Sequence, residues 1–234
     1  MTERAVGPLL SDWTAPPLPG GVPLQGRFVR LEPLDPARHA APLFAAFAGH
    51  DWIWDYMGNG PFADAAELQA ALVAIGTDHP TYVVCPQRQG PLGFASYWTV
   101  AAAMGSAEVG GITFSPALQR TPATTEAMCL MMGHAFARGY RRYEWKCNAL
   151  NLPSRRAAQR LGFSYEGVFR NHMVIKGRAR DTAWFGITIE DWPRLKSAFD
   201  HWLDPGNFDA VGQQRQSLAS LTAPLLVARD PVLI

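Results

Sequence analysis

Between Glu108 and Cys147 the hydrophobic period of the chain changes twice. Glu108 to Phe114 reads as a strand and stops at Ser115-Pro116. Thr124 to Arg138 follows a helical period and is closed by Gly139. Tyr143 to Cys147 returns to the strand period. Few folds accommodate such a strand–helix–strand unit once what precedes it is added. Thr81–Cys85 and Leu92–Thr99 flank a turn at Pro86–Pro91, an antiparallel-like pair. Antiparallel strands first and a strand–helix–strand unit second predict an α+β, or mixed α/β, chain.

The remaining segments fit around that unit. Residues 1–25 carry Pro8, Pro16, Pro17, Pro19 and Pro23 beside Gly20 and Gly21, which predicts an extended arm rather than a packed element. Arg27 to Glu32 reads as the first strand, ended by Pro33. His39 to Ala48 is a short helix, and Asp64 to Ile75 a second one capped by Asp64. The loop between them holds Trp52, Trp54, Tyr56 and Phe62, with Gly58 and Gly60. Asn151 to Leu161 is a helix closed by Gly162. Tyr165–Val168, Met173–Lys176 and Ala183–Ile189 are late strands, and Asp191–Leu203 is a last helix. The expected organisation is an arm over 1–25, a domain over 26–203 and an extension over 204–234. The apolar tail Leu221–Ile234 and the last helix suggest additional contacts, such as those of a homodimer.

Composition removes several function classes. With 234 residues, 48% hydrophobic and 18% charged, the chain can bury a core. Lys plus Arg is 21 and Asp plus Glu 20, a net +1, so no global charge draws it to nucleic acid or to an anionic membrane. No run of about 18 apolar residues is present, and the start lacks a signal-peptide pattern. Cys85, Cys129 and Cys147 stand far apart without a CxxC pair, which fits reduced thiols and a cytoplasmic location. Nucleotide-loop, dinucleotide, nucleophile-elbow and zinc-protease motifs are absent, and the six histidines have no ligand spacing, so no metal is expected.

Two stretches carry chemistry. In Glu108-Val-Gly-Gly-Ile-Thr-Phe-Ser-Pro-Ala-Leu-Gln-Arg-Thr-Pro-Ala-Thr-Thr a strand leads through a polar loop into a helix. A helix start offers unpaired N–H groups and partial positive charge to a phosphate, and Arg120 adds bidentate donors. The plainer reading is that Thr124 or Thr125 caps the helix. In Asn148-Ala-Leu-Asn-Leu-Pro-Ser-Arg-Arg-Ala-Ala, helical spacing puts Asn151, Ser154 or Arg155, and Ala158 on one face, suited to a ligand lying along it; an ordinary basic helix is the alternative.

Together the segments EVGGITFSP, LQRTPATTEA, FARGYRRYEWKCNALNLPSRRAAQRLGF and GRARDTAWFGI resemble the GNAT superfamily of acyl-CoA acyltransferases, and within it the Rim-type ribosomal-protein N-terminal acetyltransferases. The resemblance covers roughly residues 26–203. It implies a mostly antiparallel twisted sheet splayed between two strands and flanked by helices, with acetyl-CoA as acyl donor. It places Ile112 and Phe114 along the pantetheine arm. Gln119, Arg120, Thr121, Ala123, Thr124 and Thr125 would hold the diphosphate. Asn151, Ser154 and Arg155 would lie on the other side of the cofactor, with Arg155 and Arg156 either meeting its adenosine phosphates or solvated. Pro122 departs from the family's glycine-rich loop and removes one N–H. Ala158 stands where many relatives carry a tyrosine acid.

The resemblance also implies Glu108 as base and Ser154 as assisting acid. The acceptor would approach beside Trp52, Trp54 and Tyr56, faced by Arg170, His172 and Lys176, where aromatic rings can cage an amine. Asp181 is expected to be structural, tying Arg178 and Arg180. The implied activity is direct transfer of an acetyl group to a primary amine, a protein N-terminus or a small molecule, in a ternary complex. A covalent intermediate on Cys129 or Cys147 is disfavoured. Alternatives are a succinyl-CoA or other acyl-CoA enzyme, a non-catalytic CoA-binding module, and an interaction protein on an unrelated mixed fold.

Overall fold

The computed structural model describes residues 6–233; residues 1–5 of the expected arm and Ile234 of the expected tail lie outside them. In chain order the elements are β1 (Leu24–Gln25), β2 (Val29–Pro33), α1 (Pro36–Phe47), α2 (Ala65–Asp78), β3 (Thr81–Pro86), β4 (Gly93–Ala101), β5 (Ser106–Phe114), α3 (Pro122–Ala137), β6 (Arg142–Asn148), α4 (Leu152–Arg160), β7 (Ser164–Ile175), β8 (Arg178–Thr188), α5 (Trp192–Leu203) and α6 (Leu218–Thr222). The strands form one sheet in the order β1-β2-β3-β4-β5-β6-β8-β7. Every neighbouring pair is antiparallel except β5 and β6, which run parallel. A parallel pair cannot be joined by a hairpin, and α3 is the crossover that joins it. The expected mixed α/β class and splayed sheet are both present.

Alternation along the strands builds a core on each face. Tyr82 and Val84 of β3 join Tyr97, Met131, Phe136, Tyr143, Trp145, Phe163, Phe185 and Phe199 under α3, α4 and α5. Val83 and Cys85 point the other way and join Leu43, Phe47, Leu68, Leu72 and Phe94 under α1 and α2. Glu126 of α3 is buried, and its carboxylate accepts from the backbone N–H groups of Arg27, Phe28 and Val29 at 2.8, 2.6 and 3.0 Å. It pins the start of β2 rather than merely favouring its own helix terminus.

The ends of the chain differ from expectation. The N-terminal segment is extended but packed. The Trp13 indole donates to Ala103 O (3.2 Å), Gly20 N donates to His134 Nε2 (3.0 Å), the Tyr82 hydroxyl donates to Val22 O (2.7 Å), and Leu24–Gln25 then adds an edge strand. Proline locks an extended path without preventing side contacts. Tyr165–Val168 and Met173–Lys176 are one strand, β7, broken in register between Phe169 and Met173, with Asn171 at φ 50°. The polar run Arg170-Asn171-His172 hides that continuity in the sequence. Residues beyond α6 return across α4. Val227 N donates to Ser164 Oγ (2.9 Å) and Asp230 N to Gln159 Oε1 (2.8 Å).

Candidate active site: a slot between two parting strands

β5 and β6 pair at Ser106↔Arg142, Ala107↔Tyr143, Glu108↔Glu144 and Val109↔Trp145, and there the ladder stops. Past that point Gly110–Phe114 stays paired with β4 alone and Lys146–Asn148 with β8 alone. The parting begins at a β-bulge. The β4–β5 register shifts between Phe94 and Ser96, where Gly111 sits at φ 58°. Trp98 lies across the same glycines, so a Cβ on Gly110 would meet Trp98 Cβ at 2.6 Å. The Gly-Gly pair therefore answers both to the bulge and to the close approach of the indole.

On the α3 side the slot opens onto the loop Ser115–Thr121. Gln119 ties that loop to the strand end, its Nε2 donating to Phe114 O at 2.9 Å. Arg120 is exposed, at φ 61°, a left-handed conformation uncommon for a residue with a Cβ. α3 begins at Pro122, one residue after Thr121, which makes no side-chain cap; its hydroxyl donates back to Leu118 O (2.7 Å). Neither Thr124 nor Thr125 caps the helix. Thr124 donates to Thr121 O (2.7 Å), and buried Thr125 accepts from Arg160 Nη1 (3.0 Å). Ala123 is buried and Ile112 and Phe114 are partly buried. Among the described residues the first-turn N–H groups thus meet no capping side chain, and they keep the partial positive charge of a helix start. Pro122 costs the helix nothing there, because an N–H at the first helical position has no intrahelical partner.

On the α4 side Asn151 caps its helix, Oδ1 accepting from Ser154 N at 3.1 Å. Ser154 Oγ accepts from the Trp145 indole of β6 at 3.0 Å. Ala158, where a tyrosine acid would stand, is fully buried in the core. Arg155 is a correction. Its side chain is buried, donating from Nε to Asp230 Oδ2 (2.6 Å) and from Nη1 to Ala149 O (2.7 Å), with a second bond to Asp230 Oδ1 (2.5 Å). The returning C-terminal segment takes the guanidinium, so it is not available to phosphates. Its neighbour Arg156 is exposed and, with Arg160 and Arg229, lines an open cavity of about 290 Å³ between α4 and that segment.

The opposite face of the slot is built from charged side chains and rings. Buried Glu108 lies beside Lys146, with Oε2 to Nζ 3.0 Å, and Lys146 also reaches Glu144 Oε2 at 3.1 Å and the Trp184 ring at 4.0 Å. Arg142 bridges Glu144 and Glu166. Burial pushes the Glu144 carboxyl up, but bonds from Arg142 and Lys146 outweigh it and hold the group below its ordinary range. Phe169 packs on Trp184 at 4.6 Å, and His172 Nδ1 meets Thr182 Oγ1 at 3.0 Å. The aromatic loop roofs this face from two tethers. Lys176 Nζ donates to Trp54 O and Gly60 O (3.1 and 2.6 Å), and the Tyr56 hydroxyl to Leu150 O (3.3 Å).

Trp52 and Tyr56 are exposed; Trp54 is not a wall of the cleft but core, edge-on to Phe47 and Phe62. Arg170 and His172 lie exposed in the irregular stretch of β7. Asp181 accepts from Asn171 N (2.6 Å) and shapes that stretch; among the described residues it forms no ion pair with Arg178 or Arg180. Lys146 was missed by the sequence reading, although Arg142, Glu144 and Lys146 alternate onto one face. The thiols are poor nucleophiles: burial pushes Cys129 up to about 12 and Cys85 up to about 11, and raises Cys147 too. Among the described residues no cluster of His, Cys, Asp or Glu could hold a metal, and no helix is long and apolar enough to cross a membrane.

This architecture has relatives. The acetyltransferase (GNAT) domain family matches residues 29–164. A GCN5-related N-acetyltransferase from Brucella melitensis is 41% identical, with a TM-score of 0.88, over 92% of this chain and 100% of its own. A GNAT-family chain from Chromobacterium violaceum is 40% identical, with a TM-score of 0.78, over 82% of this chain and 98% of its own. The Salmonella typhimurium acetyltransferase that modifies the N-terminal serine of ribosomal protein L7/L12 shares the fold at 18% identity and a TM-score of 0.62, over 70% of this chain and 96% of its own. No curated protein matches this chain. The family match, the two relatives near 40% identity and the parted strands agree: the chain belongs to the GNAT family of acetyltransferases, enzymes that move an acyl group from an acyl-CoA to an amine.

Proposed function

We propose that the chain transfers acetyl from acetyl-CoA directly to a primary amine, with Glu108 as the base. The observation that carries this reading is the ladder of β5 and β6 ending one residue past Glu108. The carboxylate therefore stands at the mouth of the slot, on the face opposite α3 and α4. In this reading the thioester lies along Gly110–Phe114, and the bulged backbone N–H groups polarise its carbonyl. The diphosphate rests on the uncapped start of α3 beside Gln119, Arg120 and Thr121, with Ala123, Thr124 and Thr125 supplying the first turn. Asn151 faces the pantetheine, and Arg156, not Arg155, serves the adenosine phosphates.

An amine attacks only when neutral. An α-amine with pKa near 8 is roughly one-tenth neutral at pH 7, a cost of about 1.4 kcal/mol, whereas a lysine pays about 4.6 kcal/mol. Glu108 removes the proton directly or through water, and the Lys146 ammonium beside it steadies the carboxylate before attack. The departing thiolate, with pKa of about 8.5, needs little help. Ser154 of α4 is the hydroxyl assigned to assist it. The raised thiols support direct transfer over a cysteine relay.

The Rim-type branch, and with it a protein N-terminus as acceptor, is supported by fold likeness to the Salmonella enzyme. The three free cysteines support a reducing, cytoplasmic setting. Glu108→Gln tests the reading. We expect kcat at pH 7 to fall by about 100-fold or more, with acetyl-CoA affinity by calorimetry unchanged. The deficit should narrow at high pH, where the amine is already neutral. An unchanged kcat removes Glu108 from the mechanism.

A further inference from the structure

The acceptor face holds two buried donors that the reaction above does not use. β6 and β8 pair without interruption from Arg142↔Thr188 to Asn148↔Thr182, so Trp184 and Thr182 share the face of Lys146 and Glu144. β8 continues in regular alternation, and Arg180, paired with Met173 of β7, extends that face toward the parted end of β6. Arg180 Nε and Trp184 Nε1 are both buried, and neither has a hydrogen-bond partner among the described residues. Native proteins rarely leave such donors unsatisfied.

Their surroundings are selective. The other cations at the inner end of this face are matched: Lys146 by Glu108 and Glu144, and Arg142 by Glu144 and Glu166. Arg180 has no ion pair among the described residues, and its nearest acid in sequence, Asp181, is engaged by Asn171 N. Burial lowers its affinity for its proton, and the fields of Cys147 and Glu108 only partly oppose this. Phe169 and His172 border Trp184 with rings. A half-buried guanidinium with no anion among the described residues, on a face bordered by tilted aromatic rings, suits a planar anion.

We propose that Arg180 binds a carboxylate of the substrate, making this an acyltransferase for carboxylate-bearing substrates rather than for polyamines. The inference rests on the acyl-transfer reading above and specifies its substrate class. The carboxylate comes either from the acceptor, as in an α-amino acid or short peptide, or from the far end of a dicarboxylic acyl-CoA.

The test is a thiol-release assay on the full chain with acetyl-CoA and succinyl-CoA. Phenylalanine, phenylalaninamide and phenethylamine serve as acceptors, for the wild type, Arg180→Gln and Arg180→Lys. If the acceptor supplies the carboxylate, phenylalanine has the lowest KM. Arg180→Gln then raises that KM roughly 30-fold, the range of charge-assisted bonds, and leaves the KM of phenethylamine unchanged. If the donor supplies it, succinyl-CoA is preferred with every acceptor, and Arg180→Gln abolishes the preference. Arg180→Lys keeps part of either effect, which loss of fold would not. Equal use of all acceptors and both donors, or preferences that survive Arg180→Gln, overturns the proposal. Absence of thiol release from every pair counts instead against the acyl-transfer reading. Calorimetry of phenylalanine and succinate against wild type and Arg180→Gln then decides the carboxylate site on its own: binding lost in the variant supports it, and no binding to the wild type overturns it.

Discussion

In the proposed reading the two sides of the slot solve recognition differently. The side under α3 and α4 works through main-chain groups: the edge of β5, the uncapped start of α3 and a loop tied by Gln119. The side beneath the aromatic loop works through side chains from β5, β6, β7 and β8, linked from Glu108 through Lys146 to Trp184. Backbone recognition suits a donor shared across a family, because it tolerates sequence change as long as the path of the chain is kept. Side-chain recognition suits an acceptor that differs from enzyme to enzyme. The donor side also has a support of its own, since the C-terminal segment clamps α4 through Asp230.

That contrast can be broken most strongly at the clamp. Asp230→Ala leaves the Arg155 charge buried without its partner, and we expect a loss of about 3–5 kcal/mol in chemical denaturation. A loss below 1 kcal/mol would mean that the segment does not brace the donor wall. A smaller effect separates the two sides kinetically. Arg120→Gly removes a charge from the mouth of α3 and relieves a left-handed backbone. The KM for acetyl-CoA should rise about tenfold, or about 1.4 kcal/mol, while stability rises by about 1 kcal/mol. The acceptor KM should stay fixed. The smallest effect lies on the acceptor side. Glu144 is held below its ordinary 4.5, so its stabilisation is complete above that pH and is lost as pH falls through the lowered value. Water screens this half-open network, so unfolding free energies of Glu144→Gln and wild type from chemical denaturation between pH 6 and pH 3 should differ by less than about 1 kcal/mol, the wild type losing more on the acid side.

Sequence and structure agree best where function follows the backbone. The strand over Glu108–Phe114, the helix that follows its polar loop and the helix after Asn151 stand where the local pattern puts them, although α3 starts two residues early, at Pro122. The reading fails where a residue's neighbour is distant in the chain. Arg155 and Arg156 are adjacent and chemically identical, yet one is buried against Asp230 and the other exposed. Trp52 and Trp54 stand two residues apart in one short 3-10 turn, Asp51–Trp54, and so point to different sides; only the first faces water.

The amino-acid order by itself determined most of the alternation of strands and helices, and the polar loop leading into a helix start, because each depends on contacts within a few residues. Only the tertiary structure decided which charges are paired. Glu108 meets Lys146, Asp230 takes Arg155, and Arg180 is left without an anion among the described residues, because ion pairing depends on distances between segments that the chain brings together only on folding.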